Sequence, residues 1–323
     1  MKNLLPLFAL LVFGLLACEK SIKETNTEQE EVVQTPTERK CDADVVLQQQ
    51  LAEDPTLRSR LEAVERFTED YQNKKQRGLV REAVVTIPVV VNVIYRTAAE
   101  NVSQAQIQSQ IDVLNKDFNA ANSDFNSYIP AEYAALKANV GVNFVLQTVK
   151  RRATSKTSWS TNDAMKKSAQ GIAPTSPSNT LNIWVCTLSG GVLGYAQFPS
   201  GNPATDGVVI LNRGFGTTGT AASPFNLGRT ATHEVGHWMN LRHIWGDATC
   251  GNDQVGDTPP HNTANYGCPA QGHLSTCSGT PKEMWMNYMD YTDDRCMYIF
   301  SEGQKTRMLA VFAAGGPRAA FAP

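Results

Sequence analysis

His233-Glu234-Val235-Gly236-His237-Trp238-Met239-Asn240-Leu241-Arg242-His243 is the stretch on which the rest of the chain is read. Residues four apart share one face of a helix, so His233 and His237 can aim their imidazoles at one ion. Glu234 projects about 100° around the axis, beside that ion, where a carboxylate can take a proton from water. His243 joins them only if the helix ends near Asn240 and the chain doubles back. That turn wants a residue tolerant of positive φ, for which Asn is second to Gly. Three histidines leave a fourth position open on zinc, as a catalytic site requires.

Working outward, the flanking segments read as a mixed domain. Val84–Tyr95 is nearly continuous and β-branched, a buried strand, and Ile107, Ile111, Leu114 and Phe118 recur at helical steps over 103–118. Residues 140–149, 181–188 and 208–211 read as further strands, the first two alternating; 191–198 is glycine-punctuated and reads as an exposed edge strand. The zinc helix is expected over 227–241. A capping box of Ser301 and Gln304 opens a last helix through Phe312.

The histidine motif resembles the zinc signature of the metzincins, with Asn240 where Gly is usual. Asn287-Tyr288-Met289-Asp290-Tyr291-Thr292-Asp293-Asp294-Arg295-Cys296-Met297 resembles the Met-turn region of the pappalysin family, in particular its ulilysin- and cytophagalysin-like members. Leu181-Asn182-Ile183-Trp184-Val185 and Gly194-Tyr195-Ala196-Gln197-Phe198-Pro199 resemble strands of that family. The resemblance spans residues 84–312. It implies an α+β, metzincin-type zincin: a twisted mixed sheet and helices in the upper half, an irregular lower half with the Met-turn and a C-terminal helix. It implies a zinc endopeptidase acting on proteins and peptides, with Glu234 carrying the proton. Met289 would form the floor under the histidines, and Tyr291 would donate a hydrogen bond to the tetrahedral intermediate. Asp294 or Asp293 would lie at S1′ and favour Arg or Lys there. The backbone of the edge strand, at Gly194 and Ala196, would pair with extended substrate. A structural Ca²⁺ would sit at Asp253, Asp257 and Thr258.

Cysteines and composition bound the setting. Four of the seven cysteines, Cys250, Cys268, Cys277 and Cys296, fall in the Gly/Pro-rich segment after the motif and allow three pairings; the resemblance implies Cys250–Cys277 and Cys268–Cys296. Cys186, in an apolar strand, reads as an inert buried thiol. Lys2 and the apolar run 4–16, closed by Leu16-Ala17-Cys18, read as a signal peptide (1–17) whose Cys18 resembles an acylated lipoprotein cysteine. Residues 18–40 then form a solvated tether. Residues 41–80 form a pro-segment, helical over 44–76, basic and flexible around Lys74-Lys75-Gln76-Arg77-Gly78. The catalytic domain occupies 81–323. Cys41, followed by Asp42 where the family's switches have Gly, reads as a thiolate that closes the zinc of the latent form. A net charge of −2 excludes a strongly basic nucleic-acid binder. The expected partners are peptide substrates, with membrane contact only through the lipid, for a monomer exported to the cell envelope and released on maturation. The competing reading is a surface lipoprotein that binds zinc without proteolysis.

Overall fold

The computed structural model describes residues 36–80 and 84–322. The signal peptide, Cys18, the tether as far as residue 35 and residues 81–83 at the start of the catalytic domain lie outside the described residues. Two helices come first, α1 (Ala43–Glu53) and α2 (Leu57–Gln76), broken at Asp54-Pro55, where proline's missing N–H and fixed φ stop the first. α2 buries a single stripe, Leu57, Val64, Thr68 and Tyr71. It runs through Gln76, so Lys74, Lys75 and Gln76 are helical where composition suggested a flexible junction.

The rest follows in the order β1 (Val85–Tyr95), α3 (Gln104–Phe118), β2 (Val142–Ala153), short α4 (Ala164–Lys167), β3 (Leu181–Cys186), β4 (Gly194–Ala196), β5 (Val208–Leu211), α5 (Arg229–Trp238) and α6 (Glu302–Ala310). The five strands form one sheet in the order β2-β1-β3-β5-β4. All neighbours are parallel except β4, which runs antiparallel to β5 at the edge. A parallel strand covered on both faces tolerates no wet side, which explains the Val/Ile-rich sequence of β1, buried throughout 89–94. The same rule corrects the alternation expected of β3: all six residues are buried. Its one polar residue, Asn182, is satisfied there by Asn92, by Thr175 and by the Thr180 carbonyl.

α3 starts at Ser103, whose hydroxyl accepts from Gln106 N–H at 3.1 Å. α5 is buried along all ten residues. It is tied to α3 by the Thr232 hydroxyl, which donates to Asp117 at 2.8 Å, and Trp238 packs edge-on against Phe321 at 5.1 Å. Between α5 and α6 there is no α-helix or strand. Disulfides Cys250–Cys277 and Cys268–Cys296 tie that irregular half together. α6 opens with the Ser301/Gln304 capping box and ends at Ala310, two residues before Phe312. No helix among the described residues is long and apolar enough to cross a membrane.

Candidate metal centre

α5 presents His233 and His237 one turn apart, then stops at Trp238. Asn240 takes φ +75° and the chain reverses, bringing His243 back beside them. The three Nε2 atoms converge: 3.1 Å from His233 to His237 and 3.1 Å from His237 to His243. Ligand nitrogens about 2.0–2.1 Å from one tetrahedral ion stand about 3.3 Å apart, so the set fits a zinc-sized cation. Each ring is oriented through its other nitrogen. Nδ1 of His233 donates to the Tyr288 carbonyl (2.7 Å), that of His237 to the Leu241 carbonyl (2.8 Å), and that of His243 to Asp247 (2.5 Å). Such partners fix the tautomer and leave the Nε2 lone pairs free for a metal. Burial and the neighbouring imidazoles push His233 far below its ordinary value and His237 to about 3, so both rings are neutral, the form that ligates.

Cys41 Sγ joins this set; the four ligand atoms lie within 4.8 Å of one another. The cysteine is delivered by backbone pairing with the edge strand: Leu193 N–H donates to the Lys40 carbonyl (2.9 Å) and Asp42 N–H to the Gly194 carbonyl (3.1 Å), running parallel to β4. Cys41 Sγ lies 3.2 Å from Glu234 Oε2. Burial raises both groups, Glu234 to about 8 and the thiol well above its ordinary value. A divalent cation among the histidines reverses that preference, because its charge favours thiolate and carboxylate alike. The Tyr291 hydroxyl donates to the Cys41 carbonyl (2.9 Å) and accepts from Cys41 N–H (3.1 Å). Met289 is fully buried beneath α5, and a Cβ at Gly236 would come within 2.5 Å of its sulfur.

The acidic pair after the Met-turn separates. Asp294 is fully buried. Its Oδ2 accepts from the N–H groups of Leu227 (2.8 Å) and Arg229 (3.2 Å), and its Oδ1 takes the Arg39 guanidinium at 2.6 Å. Arg39 also donates to the Thr292 carbonyl and the Thr230 hydroxyl and lies over Phe225. Asp293 does not meet Arg39; its nearest cation is Arg295, at 3.7 Å. Of the oxygen-rich triad, Asp253 and Thr258 meet at 2.8 Å, but Asp257 turns away to Ser301 and the Gly303 N–H at the start of α6. Gly194 and Ala196 lie on β4 as expected, though the edge beside Gly194 is covered by residues 40–42. Cys186 is buried in β3, and burial pushes its thiol up.

A family model described as pregnancy-associated plasma protein-A, of the M43 peptidases, matches residues 177–313. An extracellular metalloprotease of Verticillium alfalfae is 32% identical over 244 residues, 72% of this chain and 79% of that protein. The chain belongs to the pappalysin family of metalloproteases. Among solved structures, a Tannerella forsythia promirolysin mutant aligns with TM-score 0.77 and 39% identity, covering 88% of this chain and 97% of that one. Mature mirolysin of the same organism, in complex with a cleaved peptide, aligns with TM-score 0.71 and 43% identity over 75% of this chain and 97% of its own.

Two residues of this pappalysin site escaped the sequence reading, and a third was read only in part. Arg39 was visible two positions before Cys41, but its partner stands 255 residues away. Asp247 lies four residues past His243 in a loop, where no helical periodicity points to it. Gly194 was read for its backbone, yet its missing side chain also matters: a Cβ there would meet Glu234 and the Val209 carbonyl, each at 2.9 Å.

Proposed function

We propose that this metalloprotease is a zinc endopeptidase held latent by residues 41–80, with Arg or Lys preferred immediately after the cut. One observation carries the reading. Cys41 completes the three-histidine set while Arg39, two residues before it, fills a buried pocket on Asp294. The leading segment thus occupies the metal and the neighbouring pocket at once. It pairs in parallel with β4, over the backbone that substrate would use.

His233, His237 and His243 would hold the metal. When bound, zinc supplies a Lewis acid that polarises the scissile carbonyl and acidifies water. Glu234, released from Cys41, takes the proton of the attacking water and passes it to the leaving nitrogen. The Tyr291 hydroxyl, no longer clamped to the Cys41 backbone, is free to donate to the developing oxyanion. β4 offers its Gly194 and Ala196 backbone to extended substrate, and Asp294 takes the P1′ guanidinium or ammonium. Charge-assisted contacts contribute about 1.5–3 kcal/mol, tenfold or more in preference. A closed structural zinc site would have no use for Glu234 or for an acidic pocket at Asp294.

The two disulfides and the extracellular names of the relatives support export; attachment through Cys18 and a monomeric state are part of the same proposal. Calcium at Asp253, Asp257 and Thr258 is part of the same proposal through the resemblance alone, since Asp257 is drawn to Ser301 and the Gly303 N–H. The test is a peptide library with varied P1′, digested by activated protein with and without a zinc chelator. Chelator-sensitive cleavage enriched before Arg and Lys, flattened by Asp294→Ala, is expected. Chelator-insensitive cleavage overturns the metal assignment, and apolar P1′ residues overturn the pocket.

A further inference from the structure

α2 carries a carboxylate that belongs to neither the metal nor the Asp294 pocket. Glu65 Oε1 lies 2.6 Å from an Nη atom of Arg307 and 3.7 Å from one of Arg242. Arg307 is only 2% exposed, and its Nε donates at 2.6 Å to the Asn240 carbonyl, the turn that returns the chain to His243. The side-chain amide nitrogen of Asn240 is buried without an acceptor. Asn240 and Arg242 also line a cavity of about 260 Å³ between this turn and Leu47, Leu61 and Glu65 of α1 and α2. Asp247, the other acid on the catalytic side of that cavity, is already committed to His243.

If residues 41–80 leave, the wall they expose holds the buried Arg307 guanidinium, the 42% exposed Arg242 and an unsatisfied amide; among the described residues Asp247 stays near Arg242, but Glu65, the carboxylate on Arg307, is lost. A buried cation stripped of its counter-ion is costly, and a ligand carboxylate would restore the pair. We propose that Glu65 is a placeholder, and that in the mature enzyme Arg242 and Arg307 form an anion subsite taking an Asp or Glu side chain of the substrate, N-terminal to the scissile bond. The side follows from the path of the chain. Arg39 fills the pocket assigned to P1′, Cys41 meets the metal, and the chain then continues into α1 and α2. The inference rests on reading 41–80 as a removable pro-segment.

The test uses activated enzyme and peptides with a single cleavable bond before Arg, each carrying Glu or Gln at one of the positions P2 to P6. At one or two positions Glu should raise kcat/KM about fivefold over Gln, mainly through KM, with the gain shrinking as salt is added. Arg242→Gln should bring the Glu-to-Gln ratio to one. Arg242→Glu should invert it and favour Lys at that position. Equal rates for Glu and Gln peptides throughout, or a ratio unmoved by both Arg242 variants, overturns the subsite. Wild-type cleavage of the Gln peptides before Arg reports separately on the peptidase reading, which survives that result and falls only if those peptides are left uncut.

Discussion

Asn240 sits at φ +75°, and without that left-handed step a helix of ten residues could not return His243 to His233 and His237. Gly, and next to it Asn and Asp, visit this region at low cost; a β-branched side chain there costs on the order of 1–2 kcal/mol. Asn240→Gly should therefore keep metal content and melting temperature close to wild type. Asn240→Val should lower stability by about that amount in chemical denaturation and weaken metal retention on dialysis. Glu234 is a second single-residue lever. It stands beside the histidine cluster without belonging to it, so Glu234→Gln should retain the metal by elemental analysis and lose at least about 100-fold in peptidase rate, the scale of general acid–base catalysis. Both positions were legible because ligand spacing is local: four residues make one helical turn, and six more require a reversal. The Arg39–Asp294 pair was not, since a buried ion pair between residues 255 apart leaves no local trace.

Among the elements, those with a strong local rule were read correctly. β1 has its apolar run, α3 the helical spacing of Ile107, Ile111, Leu114 and Phe118, and α6 its capping box. Where tertiary burial overrides pattern, the reading slipped. β3 is wet on neither face, and α2 continues through a basic stretch that composition marks as loose. The contact between β4 and α5 could not be read from pattern either, because it depends on an absence. A methyl on Gly194 would press on the Glu234 side chain and on the Val209 carbonyl of the β4–β5 ladder, each at 2.9 Å. Backbone cannot yield as a flexible side chain can. Gly194→Ala should thus displace Glu234 and cut kcat by on the order of tenfold to a hundredfold, with metal content preserved. Gly236→Ala is the comparison. Its methyl would meet the flexible Met289 thioether, which can shift, so the kinetic loss should be smaller. Equal losses in both variants would refute this account of β4.

For the whole molecule, the arrangement bears on how latency ends. Residues 39–42 fill the metal site and the Asp294 pocket, so a chain in this state has no open cleft in which to cut itself. On the proposed latency, the cut in most chains is expected to come from another copy that is already active. The cut also needs extended backbone, because substrate pairs with an edge strand. The Gln76–Arg77 bond sits at the C-terminus of α2, where Arg77 N–H still donates to the Asn73 carbonyl at 3.3 Å. Leu79 and Val80 lie beyond the helix, and both are followed within two residues by Arg81. On the proposed Arg preference at P1′, the Val80–Arg81 bond is favoured over Gln76–Arg77, and the mature chain should begin at Arg81, without the tether and Cys18. Three measurements check this together. N-terminal sequencing of the activated protein should read Arg81. The activation half-time should shorten as protein concentration rises, and a trace of mature enzyme should abolish the lag. Cys41→Ala should shorten the lag without moving the cut, since it frees the metal site and leaves the junction intact. A half-time independent of concentration would mean cleavage within one chain, and the filled cleft would then have to open spontaneously before any cut. A mature N-terminus at Arg77 would show that the end of α2 unwinds more readily than its hydrogen bonding suggests.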